Sequence, residues 1–126
     1  MIVWRWKSIN RIDLENCPIA LAQKIIGGKW ALRILYHLST GMYRFGELNR
    51  QMPEITQATL TKELRRLESF QLINRKVYPE VPPRVEYSLT EMGLKLLPVL
   101  KELEIWGDEY KKYINNNKCQ NSFLRD

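Results

Sequence analysis

Cysteine and histidine are scarce in this sequence, and long apolar runs are missing. The two cysteines, Cys17 and Cys119, lie far apart and form no CxxC pair, so a disulfide framework is excluded and a reduced, cytoplasmic setting is expected. No apolar run approaches the roughly 20 residues of a membrane span, so no membrane partner is expected. The opening MIVWRWK puts only three or four apolar residues before Arg5, short of a signal-peptide core, and no signal peptide is expected. His37 is the single histidine and sits inside an apolar helical pattern, where packing or surface exposure accounts for it better than catalysis. There is no HExxH, no GxSxG, no glycine-rich phosphate loop and no cluster of metal-ligand residues. No enzymatic activity, cofactor or metal is therefore expected. A thiol peroxidase built on Cys17 would lack a partner motif.

What remains is ordinary for a single globular domain: 126 residues, 44% hydrophobic and 27% charged. Twenty Lys and Arg against 14 Asp and Glu give a net +6, which favours a polyanionic partner such as nucleic acid or an acidic membrane surface without deciding between them.

The informative stretch runs from Arg44 to Leu89. RFGELNRQ reads as a helix, with Phe45, Leu48 and Met52 on one side and Pro53 stopping it. After a short turn, TQATLTKELRRLESF reads as a second helix ending near Phe70, with Thr56 as its N-cap. Position N3 is Thr59, so no capping box forms. Leu60, Leu64 and Leu67 recur at i, i+4 and i+7 and make an apolar stripe. The opposite side carries Ala58, Lys62, Arg65, Arg66 and Ser69, with Thr61 on its shoulder. Small residues near the helix start with cations further along suit a major groove, because short side chains approach base edges while cations meet phosphates. A charged outer face is also what any solvated amphipathic helix shows, so the helix alone leaves both readings open.

INRKVY and RVEYSL follow, each alternating with a period of two, and read as an antiparallel pair. The PEVPP between them has three prolines and no glycine, so it is expected to be extended and stiff. Such a tip can present Arg75, Lys76 and Arg84 to a backbone or minor groove, or simply be a rigid exposed hairpin. Helix, turn, helix and hairpin together spell a winged helix-turn-helix: mainly α with a small β wing.

Flanking elements complete the chain. Residues 1–16 are read as an N-terminal arm, with Trp4 and Trp6 packing on their own domain or on a partner subunit. Pro18 begins a helix that Gly27-Gly28 ends. KWALRILYHL forms the next, with Gly41 closing it. Tyr43 to Phe45 can be a very short strand. Thr90 is expected to cap a long last helix, kinked at an interior Pro98. Its stripe of Leu97, Leu100, Leu103, Trp106 and Tyr110, then Tyr113 or Ile114, exceeds what a small domain needs for its own core and suggests a dimer interface; a core role is the competing reading. The domain is placed at 17–115, and 116–126 is expected to be a disordered tail.

In this order, CPI at 17–19, IGGKW at 26–30, RFGEL at 44–48, ITQATLTKELRRLE at 55–68 and VYPEVPPRVEYSLTEMG at 77–93 resemble the HxlR family of bacterial winged-helix transcription regulators, over about three quarters of the chain. The resemblance implies a homodimer, assembled through the terminal helices, on an inverted-repeat DNA operator, and repressor action is expected. It also aligns Cys17 with a family cysteine that in some members senses oxidants or electrophiles. The position just before a helix N-terminus favours negative charge on sulfur; a small buried, inert side chain is the alternative. Where the family carries an acidic-glycine step after the second helix, this chain has Ser69-Phe70-Gln71-Leu72, so the helix must end without an easy left-handed residue.

The expected DNA-binding set is Thr56, Gln57, Thr59, Thr61, Lys62, Arg65 and Arg66 on the helix, with Arg75, Lys76 and Arg84 in the wing. Gln57 is the candidate for bidentate pairing with adenine, and the cations for phosphate or guanine. About three phosphates neutralised per protomer would give a dimer a log–log salt slope near −5. The alternative is a winged helix that serves protein or RNA and reads no operator, since fold does not fix function.

Overall fold

The computed structural model describes residues 16–117, so residues 1–15 of the arm, with Trp4 and Trp6, and residues 118–126 of the tail, with Cys119, lie outside the described residues. The elements in order are α1 (Pro18–Ile26), α2 (Ala31–Leu38), β1 (Tyr43–Arg44), α3 (Phe45–Gln51), α4 (Gln57–Ser69), β2 (Ile73–Tyr78), β3 (Arg84–Leu89), α5 (Glu91–Leu94) and α6 (Leu97–Asn116). The fold is a winged helix-turn-helix, mainly α with a three-stranded antiparallel sheet in the order β1-β3-β2.

The core sits where α2, α3 and α4 meet. Ile34 and Leu35 of α2, Leu48 of α3, Met52 from the turn, and Leu60, Leu64 and Leu67 of α4 are fully buried together, with Ile73 from the sheet. Each such aliphatic side chain contributes roughly 1.5–3 kcal/mol when removed from water, so this cluster sets the angle between the helices. The stripe read at i, i+4 and i+7 is thus the buried face of α4.

The sheet fixes the hairpin to this body. β3 is central: it pairs with β1 at Tyr43↔Tyr87 and Arg44↔Glu86, and with β2 from Ile73↔Leu89 to Tyr78↔Arg84. The strand limits match the alternating segments, but burial does not alternate along them. Val77 is exposed, because the outer half of β2 extends past the helical body and meets solvent on both faces, whereas Glu86 is buried between the two neighbouring strands. The Val81-Pro82 peptide in the tip is cis.

The end of α4 solves the missing-glycine problem with a non-glycine residue. Gln71 takes φ 60. Its N–H bonds the Glu68 carbonyl at 2.9 Å, and the Leu72 N–H bonds the Leu67 carbonyl at 3.1 Å, the paired bonds of a Schellman motif.

The last helices differ from expectation in three ways. Thr90 caps the short α5, accepting from the Gly93 N–H at 3.0 Å, and not the long helix. Pro98 falls in the first turn of α6, where its missing N–H is unneeded, so it starts the helix instead of kinking it. The apolar stripe is also divided: Leu100 is buried in the protomer's own core with Leu97 half-buried beside it, so these two are not free for a partner. Leu103, Trp106 and Tyr110 stay exposed, and the Trp106 and Tyr110 rings stack with centroids 5.2 Å apart. The helix runs to Asn116, one residue into the expected tail. No helix among the described residues is long and apolar enough to cross a membrane.

Candidate nucleic-acid interface

With Leu60, Leu64 and Leu67 turned inward, the opposite face of α4 is left to solvent. The helix has 13 residues, or about 20 Å at 1.5 Å per residue, enough to lie along a major groove about 12 Å wide. Its start is held by Thr56, whose Oγ1 accepts from the Thr59 N–H at 3.2 Å and donates to Thr59 Oγ1 at 2.9 Å. Thr61 Oγ1 donates to the Gln57 carbonyl at 2.8 Å. These three hydroxyls therefore brace the first turns. The Gln57 amide is exposed and unengaged among the described residues, which leaves it the freest polar head at the helix N-terminus. Lys62 and Arg65 are exposed about one and two turns further along, with no ion pair among the described residues.

Arg66, expected on the same face, turns to the protein instead. Its guanidinium donates to the Ile25 carbonyl at 3.0 Å and to the Lys24 carbonyl, lies 3.5 Å from Glu63, and sits 5.2 Å from the centre of the Phe70 ring. At 100° per residue Arg65 and Arg66 lie about equally far from the leucine stripe on opposite flanks, and the last turn of α1 is what the Arg66 flank meets.

The wing cations differ among themselves. Arg75 and Lys76 are exposed on β2; the Lys76 ammonium lies 4.9 Å from the Tyr78 ring centre. Arg84, expected as a free wing contact, is occupied: its guanidinium is 2.9 Å from Glu80, 3.5 Å from Glu86 and 3.9 Å from the Tyr78 ring centre. Two carboxylates neutralise it and the aromatic ring fixes it, so it stiffens the hairpin tip. Arg44 was not singled out from the sequence. It is exposed on β1 opposite Glu86 and lines, with Gly46 and Arg84, a concavity of about 410 Å³ beside the wing. Only its place in RFGEL signalled it.

Away from this face, a cleft of about 450 Å³ between α2 and α6 is lined by Leu32, Tyr36, His37, Leu100, Leu103 and Glu104. The Tyr36 hydroxyl donates to Glu104, which raises the phenol above its usual range. Partial burial, and then the neighbouring Arg33 guanidinium, push His37 below its usual value. Glu54 is lowered by its backbone hydrogen bond and by its ion pair with Arg33. Among the described residues no group of three His, Cys, Asp or Glu side chains is arranged to hold a metal. Cys17 is a half-buried free thiol at the N-cap of α1.

Residues 25–115 match the family model described as HxlR-like helix-turn-helix. An HTH-type transcriptional regulator of Bacillus subtilis (strain 168), YdeP, is 50% identical over 103 residues, covering 82% of this chain and 80% of that protein. One from Methanothermobacter thermautotrophicus is 52% identical over 105 residues, covering 83% and 80%. Among solved structures, the redox regulator HypR in its reduced form superposes with a TM-score of 0.76 at 41% identity, covering 79% of this chain and 99% of that one.

Proposed function

The chain belongs to the HxlR-like helix-turn-helix family of transcriptional regulators, and from that premise we propose that it is a homodimeric repressor reading an inverted-repeat DNA operator with α4. The observation that carries this reading is the division of α4. Its leucines close the core, while Lys62 and Arg65 stand on the open side and Gln57 is exposed at the helix start. In this reading Gln57 faces base edges, and Lys62, Arg65, Arg75 and Lys76 meet phosphates. Thr56, Thr59 and Thr61 hold the helix start against the groove. Arg66 and Arg84 act through the protein.

Two protomers are needed to match a two-fold operator, and the exposed Leu103, Trp106 and Tyr110 of α6 are the surface for that pairing. A redox response through Cys17 belongs to the same proposal. It is supported by the half-exposed thiol at the head of α1 and by the likeness to HypR, itself a redox regulator.

The test is fluorescence anisotropy with the duplex upstream of the protein's own gene, against a scrambled duplex, across a salt titration. Tighter binding to the native duplex is expected, with a log–log slope near −7 from roughly 0.9 per phosphate over four cations on each of two protomers. Equal weak binding to both would reject operator reading at that site. Repetition with diamide, which accepts two electrons and two protons as two thiols join in a disulfide, is expected to change affinity in the wild type and not in Cys17→Ser. An insensitive wild type would return Cys17 to a packing role.

A further inference from the structure

The last turn of any α-helix leaves carbonyls without intrahelical partners. In α1 the Gln23 carbonyl takes the Gly27 N–H at 2.7 Å, but the Lys24 and Ile25 carbonyls take the guanidinium of Arg66, 41 residues further along. One side chain of the recognition helix thus caps another helix, at the end where the dipole is negative and a cation is favoured. Arg66 is prepared for this on its own helix, with Glu63 three residues before it and Phe70 four residues after. The planar fork supplies two parallel donors to two carbonyls, which an ammonium cannot reproduce.

We propose that Arg66 is a positioning residue for DNA reading: it locks α4 onto the C-terminal end of α1, so that the two helices present Gln57, Lys62 and Arg65 to DNA as one body. The inference rests on the operator-reading proposal above and adds to it a residue that touches no DNA. It also supplies a route by which α1 acts on α4. Cys17 caps the other end of α1, about 12 Å from Ile25 along the axis, so a displacement of the thiol end reaches the recognition helix through this lock.

The experiment uses the full chain, the tightest duplex that the wild type selects from a random-sequence library, and a scrambled control. Arg66→Met keeps the stem over Phe70 without the charge, and Arg66→Lys keeps the charge without the fork. Circular dichroism melting identifies the temperature at which both variants are fully folded, and binding is measured there. Both variants are expected to lose tenfold or more on the selected duplex, less than twofold on the scramble, with the wild-type salt slope. A phosphate contact would act otherwise. Arg66→Lys would bind as the wild type, and Arg66→Met would weaken on both duplexes with a slope lower by about 2 for the dimer. That pattern, or undiminished discrimination in both variants, overturns the positioning role. A wild type that selects no preferred duplex fails differently: it removes operator reading, and the positioning role falls with it.

Discussion

The Leu72 N–H reaches back to the Leu67 carbonyl at 3.1 Å, and with the Gln71 N–H on the Glu68 carbonyl this bond folds the chain around Gln71 at φ 60. Both leucines are buried, so the turn between the recognition helix and the wing is closed from inside the core. An L side chain at such a φ costs about 1 kcal/mol, and glycine escapes that cost at some loss of chain entropy in the unfolded state. Gln71→Gly is therefore expected to raise stability by roughly 0.5–1 kcal/mol, read as a higher urea midpoint at unchanged slope. An unchanged or lower midpoint would mean that the Gln71 side chain contributes contacts of its own.

Gly93 stands at the opposite extreme. A Cβ there would come within 2.2 Å of the Leu72 carbonyl oxygen, which already accepts from the Thr90 N–H. Backbone cannot yield as a side-chain end can. Gly93→Ala is expected to destabilise by about 1–3 kcal/mol, the usual cost of overpacking, seen in thermal or urea unfolding. A neutral result would show that α5 shifts freely away from the wing.

Lys62→Ala with Arg65→Ala should leave folding intact, because both side chains are exposed and unpaired among the described residues. DNA affinity should fall steeply. The log–log salt slope of a dimer should drop by about 3.6, from roughly 0.9 per phosphate over two cations on each of two protomers. Anisotropy at three or more salt concentrations measures it, and an unchanged slope would assign the phosphates to other residues.

Trp106→Glu tests the pairing surface on α6. Trp106 is 62% exposed in the protomer, so the charge is tolerated by the fold, but it would be desolvated within a helix-to-helix interface. Sedimentation at micromolar concentration should show the variant as a single-chain species and the wild type at twice that mass. Equal masses would place the interface elsewhere.

His37 gives a pH signature. Burial and Arg33 lower its pKa in the folded state, so the unfolded chain binds more protons than the folded one near pH 6. Stability from this source is complete above the unfolded value of about 6.5 and is lost as the pH falls from there through the lower folded value. Urea midpoints between pH 7.5 and 5.5 should fall more for the wild type than for His37→Gln. Parallel curves would assign the acid sensitivity to carboxylates.

The sequence made the recognition helix legible because three leucines on one stripe leave only one side free, and two runs with a period of two announced the wing. The Cα order of charged residues did not reveal which cations are occupied. Arg65 and Arg66 are neighbours in sequence and look alike there, yet 100° of rotation turns one to solvent and the other to carbonyls 41 residues away. Arg84 likewise reads as a free wing cation until the strand pairing brings Glu86 and the tip brings Glu80 beside it. The misplaced cap had a similar cause. A helical pattern runs unbroken from Glu91 through α6, and only the packing of Gly93 against Leu72 shows why a short separate helix comes first.

Because β3 hydrogen-bonds β2 on one side and β1 on the other, with β1 leading directly into α3, the wing is a fixed jaw of a calliper whose other jaw is α4. The gap between the jaws cannot be tuned by swinging the hairpin. In the proposed dimer, tolerance to operator spacing then arises between protomers, where one inserted base pair turns a half-site by about 34°. Half-site contents and half-site spacing should accordingly be separable in binding: the first judged within a chain, the second only across the pair.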